Sequence, residues 1–131
     1  LGTTEALVAR LADRAPPPPL RALMCAALAL LVAPDTPGAS YPVHTVVDQA
    51  VRVARDDPRW QRQAGFLNAC LRRYLREAET LHAQIAQDPV AQWNHPRWWI
   101  DRLRREQPEH WQAILRANNR PGPMTLRVNR R

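Results

Sequence analysis

RQAGFLNACLRRYLREAETLHAQI, residues 62–85, decides the fold. Leu67, Leu71, Tyr74, Ala78, Leu81 and Ile85 recur in steps of three and four, which places them on one face of an α-helix. At about 100° per residue, Arg72, Arg73 and Arg76 project from the opposite face. The helix is expected from about Gly65 to near Gln87, with a core-facing stripe and a compact basic cluster on one segment.

Working upstream, Asp57-Pro58 and a polar link over 59–65 separate this helix from another. Val46, Val47, Ala50, Val51 and Ala54 form that helix's apolar side, and Thr45-Val-Val-Asp48 has the spacing of a capping box. PDTPGAS, residues 34–40, reads as a loop. Before it, Leu20, Leu23, Met24, Ala27, Leu28 and Leu31 have helical spacing with Ala in most gaps, which predicts a central helix buried nearly all round. Pro16 to Pro19 break it from a first helix, capped by Thr3 or Thr4 and running to about Asp13.

Downstream, Asp88-Pro89 ends the bundle. Asn94 or His95 is expected to cap a helix over roughly 97–106, with Pro96 in its first turn and Trp98, Trp99 and Leu103 facing inward. Gln107-Pro108-Glu109 starts another, with Trp111, Ile114 and Leu115 inside and Asn118-Asn119 at its end. In the closing PGPMTLRVNRR, Met124, Leu126 and Val128 alternate with polar residues as in a strand. The expected fold is all-α: a helical bundle over 1–88, then a helical connector over 89–131 leading into the first strand of a further domain.

Composition narrows the chemistry. The 131 residues carry 19 basic and 12 acidic side chains, a formal charge of +7, and every basic residue is Arg. The imbalance is local: residues 1–58 sum to −1 and residues 59–131 to +8. Such a basic half points to an anionic partner, nucleic acid before a membrane surface. A solvated helix face is the plainer alternative for any single Arg. The most apolar run, residues 20–33, is too short for a membrane span and contains Arg21. No signal-peptide architecture is present. Cys25 and Cys70 lie in apolar helical patterns, as small buried hydrophobes in a reducing, cytoplasmic setting.

No catalytic constellation is present. The four His have no metal-ligand spacing to a second His or Cys, the four Gly are isolated, and Ser40 stands alone in a loop. Binding remains. Arg72, Arg73 and Arg76 form the strongest anion patch, and Asn68, one turn before, adds a hydrogen-bonding amide. Arg102, Arg104 and Arg105 form a second group, partly offset by Asp101 and Glu106. Arg127, Arg130 and Arg131 lie on the closing strand. The five Trp suit base stacking as well as packing between short helices. The candidate nucleic-acid contacts are Asn68, Arg72, Arg73, Arg76, Arg102, Arg105, Arg127 and Arg130.

The run YPVHTVVDQAVRVARDDPRWQRQAGFLNACLRRYLRE resembles the NusB-like RNA-binding domain, through Gly65, Phe66, Leu67, Asn68, Cys70, Leu71, Arg72 and Arg73. The run HPRWWIDRLRREQPEHWQAILRANNRPGPMTLRVNRR, residues 95–131, resembles the connector of the Sun/RsmB family of ribosomal RNA cytosine-5 methyltransferases. His95, Pro96, Trp98, Ala117, Asn118, Asn119, Leu126, Arg127, Val128 and Asn129 carry that second likeness. Together the two cover about residues 20–131, with departures at Gln49, where an acid is common, and at Cys70, where Val is common. The resemblance implies a substrate-recognition module for small-subunit ribosomal RNA, joined to a catalytic domain that uses S-adenosylmethionine. That family's catalytic Cys pair and cofactor pocket would lie outside this stretch, and its helical domain starts some helices earlier. Two alternatives stand beside it: a stand-alone NusB-type antitermination factor, and a helical domain that mainly docks on its own catalytic domain.

Overall fold

The computed structural model describes residues 2–32, 41–120 and 122, among which there are seven α-helices. They are α1 (Gly2–Leu11), α2 (Pro18–Val32), α3 (Val43–Asp56), α4 (Ala64–Ile85), α5 (Pro89–Trp93), α6 (Arg97–Glu106) and α7 (Trp111–Asn118). A 3₁₀ turn over Gln61–Gln63 leads into α4. This is an all-α bundle, the class that the NusB likeness implies. The closing strand expected over 124–129 lies outside the described residues.

Helix α4 forms where the periodicity placed it, and α1, α2 and α3 pack around it. Leu67, Leu71, Tyr74, Leu81 and Ile85 are all buried, with Leu67 and Leu71 completely enclosed. Each fully buried Leu contributes about 1.5–3 kcal/mol, so this stripe is the main attachment of the bundle. The helix is kinked at Glu77 (φ −116°, ψ 17°). A hydrogen bond between Tyr74 Oη and His82 Nε2, 3.1 Å long, spans the kink.

Helix α3 buries the five residues its pattern named, but it begins at Val43 with Pro42 as its N-cap and no side-chain cap. The helix thus starts two residues before Thr45, which lies inside its first turn, and the expected capping box does not form. Asp48 is thereby left on the helix surface. Helix α2 also departs from its expectation. Leu20, Met24, Cys25, Ala27 and Leu28 are buried, yet Ala26, Ala29 and Leu30 face outward, Leu30 by 44%. Among the described residues, neighbours cover one side of α2 and leave these apolar side chains on the other.

The N-terminus is tied to the far end of α4 through α5. Thr3 Oγ1 donates to the Ala91 carbonyl at 2.7 Å, so its hydroxyl serves a tertiary bond and not the expected cap. A Cβ on Gly2 would lie 2.2 Å from the Val90 carbonyl oxygen, so the contact requires glycine. Helix α5 is capped by Asp88, whose carboxylate accepts from Val90 N at 2.9 Å. It ends on Asn94 in the left-handed conformation (φ 58°). Asn94 therefore closes α5 instead of opening α6, whose N-cap is Pro96 without a side-chain bond.

Among the described residues, the buried hydrophobic side chains form two clusters. The larger runs from Leu7 to Ala91 through α1–α5, and the smaller joins Trp93, Ile100, Leu103 and Leu115. Trp99, Trp111 and Ile114 pack against the smaller one, but Trp98 is 66% exposed, contrary to its expected inward position. Consecutive residues on a helix stand about 100° apart, so Trp98 and Trp99 cannot both enter so narrow a core. Helix α7 starts at Trp111, after a turn in which Trp111 N donates to Gln107 O at 2.8 Å.

Gly2→Ala is expected to destabilise the fold by about 1–3 kcal/mol, the size of an overpacking penalty. A methyl group on Gly65 would meet nothing within 4 Å, so Gly65→Ala in the first turn of α4 is expected to be neutral or to stabilise by about 0.5 kcal/mol. Urea denaturation of the two variants checks both signs.

Candidate nucleic-acid interface

Helix α4 presents its arginines in three directions. Arg72 is exposed and donates from Nε to Asn68 Oδ1 at 3.1 Å, an i, i+4 pair that fixes the guanidinium along the α3 side. The Asn68 oxygen is thus occupied by Arg72, leaving its amide N–H groups for a ligand. Arg73 is half-buried and turns to the α1 side. It donates to Glu77 Oε2 at 3.0 Å and to the Arg10 carbonyl at 3.5 Å. Arg76, 67% exposed, lies 4.0 Å from Glu77 Oε1. The compact cluster read from the sequence is therefore divided: Arg72 faces α3, Arg73 braces α1, and Glu77 offsets part of the charge of Arg73 and Arg76.

Across from Arg72, α3 contributes Asp48, Arg52 and Arg55 at steps of four and three. With Asp56, Asn68 and Arg72 they line a polar furrow of about 410 Å³ between α3 and α4. Arg52 Nε lies 3.7 Å from Asp56 Oδ2, both largely exposed. Among the described residues Arg55 forms no ion pair. Arg52 and Arg55 were not named from the sequence, because they lie in the half whose charges cancel. Their spacing from Asp48 was the available signal.

The second Arg group is likewise separated. Arg102 Nε pairs with Glu106 Oε1 at 2.8 Å on the surface of α6. Arg105 is exposed, and Arg104 lies over the Trp111 ring, 4.4 Å from its centroid. Arg116 covers Trp93 at 5.4 Å, and Trp93 meets Trp111 edge-on at 5.0 Å. These contacts give Trp93 and Trp111 to packing. The Trp93 carbonyl accepts from Asn119 Nδ2 at 2.9 Å and from His95 Nδ1 at 2.6 Å, which sets His95 as the Nδ1–H tautomer. Arg127, Arg130 and Arg131 lie outside the described residues.

Both cysteines are buried. Burial pushes the Cys25 and Cys70 thiols upward, and Cys70 Sγ donates to the Leu11 carbonyl at 3.6 Å. Both stay protonated and are poor nucleophiles at neutral pH. Among the described residues no group of three His, Cys, Asp or Glu is placed to hold a metal ion, and no helix is long and apolar enough to cross a membrane. The link between α3 and α4 is held by Asp57, whose carboxylate accepts from Arg59 Nη2 at 2.7 Å and from the Arg59 backbone N–H at 2.9 Å. These bonds lower its pKa to about 2.

Residues 95–131 match the family described as "Methyltr_RsmF/B-like, ferredoxin-like domain". The chain is 46% identical over 90 residues to the ribosomal RNA small subunit methyltransferase B of Pseudomonas putida, an alignment covering 69% of this chain and 20% of that protein. It is 41% identical over 88 residues to the Vibrio cholerae protein of the same name, covering 67% and 20%. It is 39% identical over 91 residues to the probable methyltransferase B of Coxiella burnetii, covering 69% and 21%. The chain spans about a fifth of the length of the curated relatives it matches.

Cys25 and Cys70 are expected to resist a thiol reagent in the native protein and to react together on unfolding. The Asp57 carboxylate is expected to titrate near pH 2 by NMR. Because its folded pKa lies below the unfolded value of about 4, its stabilisation is present above that value and is lost as pH falls toward 2.

Proposed function

We propose, from the chain's likeness to the ribosomal RNA small subunit methyltransferase B proteins, that it belongs to the Sun/RsmB family and holds small-subunit ribosomal RNA for an S-adenosylmethionine-dependent enzyme that methylates carbon 5 of a cytosine. The observation that carries this reading is the solvent-facing guanidinium row of α3 and α4, in a chain whose relatives are named as ribosomal RNA methyltransferases. Guanidinium groups grip phosphates with two parallel hydrogen bonds, and such contacts position RNA without reading its sequence. Residues 1–88 act as the NusB-like part and residues 89–131 lead into a second domain, a division supported by the family match that begins at 95. The setting is the cytoplasm, where ribosomal RNA is made and modified.

The cofactor has no fit among the described residues. Gly2 is filled by the Val90 carbonyl, Gly65 stands on an open helix surface, and both thiols are enclosed in the core. In this proposal S-adenosylmethionine belongs to a catalytic domain of the whole protein, and these residues contribute substrate capture alone.

A second reading, docking on that catalytic domain, is favoured by one feature. Leu23, Leu30, Tyr41, Val46 and Val53 line an apolar groove of about 310 Å³ between α2 and α3, and Leu30, Tyr41 and Val53 are 44–58% exposed. The match over 95–131 weighs against a stand-alone antitermination factor.

Binding of small-subunit ribosomal RNA fragments, measured against salt, tests the capture reading. Affinity is expected to fall steeply with salt, and replacing Arg72 and Arg76 by Ala together to flatten the log–log slope by about 1.4, the value for two phosphate contacts on a single strand. Absence of binding, or an unchanged slope, would sink it.

A further inference from the structure

The α3–α4 furrow holds something the basic cluster alone does not: a carboxylate among guanidinium groups. Asp48 lines both this furrow and a neighbouring hollow of about 370 Å³ bounded by Val43, His44, Val47, Arg72 and Leu75. Asp48 and Arg72 line both, so this pair stands where the two hollows of the α3–α4 trough adjoin. Asp48 does not cap α3, which starts five residues earlier, and among the described residues it forms no ion pair. Three guanidinium groups face two carboxylates in the main furrow, and Asp56 is paired with Arg52. The remaining Arg55 and Arg72 carry one positive charge more than Asp48, which a single phosphodiester would balance.

A trough lined only by arginines suits any polyanion. A carboxylate in it repels phosphate and favours a ligand that also brings a hydrogen-bond donor. The ribose 2′-hydroxyl is the donor that RNA has next to each phosphate and DNA lacks. Resting on the RNA-capture reading above, we propose that the trough is a ribose-phosphate site. Arg55 and Arg72 take one phosphodiester, Asn68 donates to it through its amide, and Asp48 accepts the adjacent 2′-hydroxyl. Arg73, turned to α1, is outside the site and braces the bundle. The chain would then select RNA over DNA at this position, as well as binding anions.

The experiment compares binding of one single-stranded RNA and the DNA of the same sequence to the full chain, at several salt concentrations. Arg55→Ala is expected to flatten the salt slope for both by about 0.7, one phosphate contact. Asp48→Ala is expected to reduce the RNA-over-DNA preference by about three- to tenfold, the range of one hydrogen bond. Asp48→Asn removes the charge and keeps an acceptor oxygen, so it should tighten binding to both strands and retain most of the preference. Asp48 and Arg55 are surface residues of α3, and circular dichroism of each variant checks that the helices persist. Equal tightening of RNA and DNA by both Asp48 variants would overturn the ribose assignment, as would an unchanged slope in Arg55→Ala. Either result with RNA still bound leaves the capture reading intact, whereas no binding of RNA by the unaltered chain removes both.

Discussion

Burial of the α4 stripe is the constraint on which the rest depends. Leu67, Leu71, Tyr74, Leu81 and Ile85 remove one side of a 22-residue helix from water, and α1, α2 and α3 are held by packing against them. Helices of 10–15 residues are marginal alone in water, so these neighbours owe their persistence to this contact more than to propensity. With one side of α4 committed to the core, its polar side chains are confined to the other. Arg72 and Arg73, about 100° apart, must then lean toward different neighbours.

The same packing explains why α3 and α4 form a trough. Both bury β-branched or leucine residues on their facing inner edges, and their polar rows, Asp48–Arg52–Arg55 and Asn68–Arg72, rise on the two banks above that seam. The helices keep the spacing, and the Arg72–Asn68 bond fixes one guanidinium before any ligand arrives. Such preorganisation lowers the ordering entropy that a long side chain loses on binding.

At the other end, the α1–α5 closure joins the bundle to the Trp-rich helices. Gly2 allows the backbones to touch, Thr3 bonds across them, and Asn94 turns the chain toward α6. Beyond that turn the core is small, and Arg104 and Arg116 serve as lids over Trp111 and Trp93. Arginines that count as positive charge in the sequence are here partly structural, which narrows the surface available to an anionic partner.

Periodicity by itself determined where α3 and α4 lie and which of their residues are buried, because a 3.6-residue repeat of apolar side chains has one consistent solution. Two local patterns, over 41–77 and 95–131, carried the likeness to the Sun/RsmB family. Only the tertiary structure decided which arginines stand together. Asp48 reads as a cap until Pro42 is seen to start the helix earlier, and Arg52 and Arg55 vanish into a neutral half until α3 is laid beside α4. Leu30 and Trp98 read as buried, since hydrophobicity marks a side chain that gains from burial and says nothing of whether a neighbour is there to cover it. Neighbours more than a helix apart in the chain are set by packing, and that is the information a linear pattern does not contain.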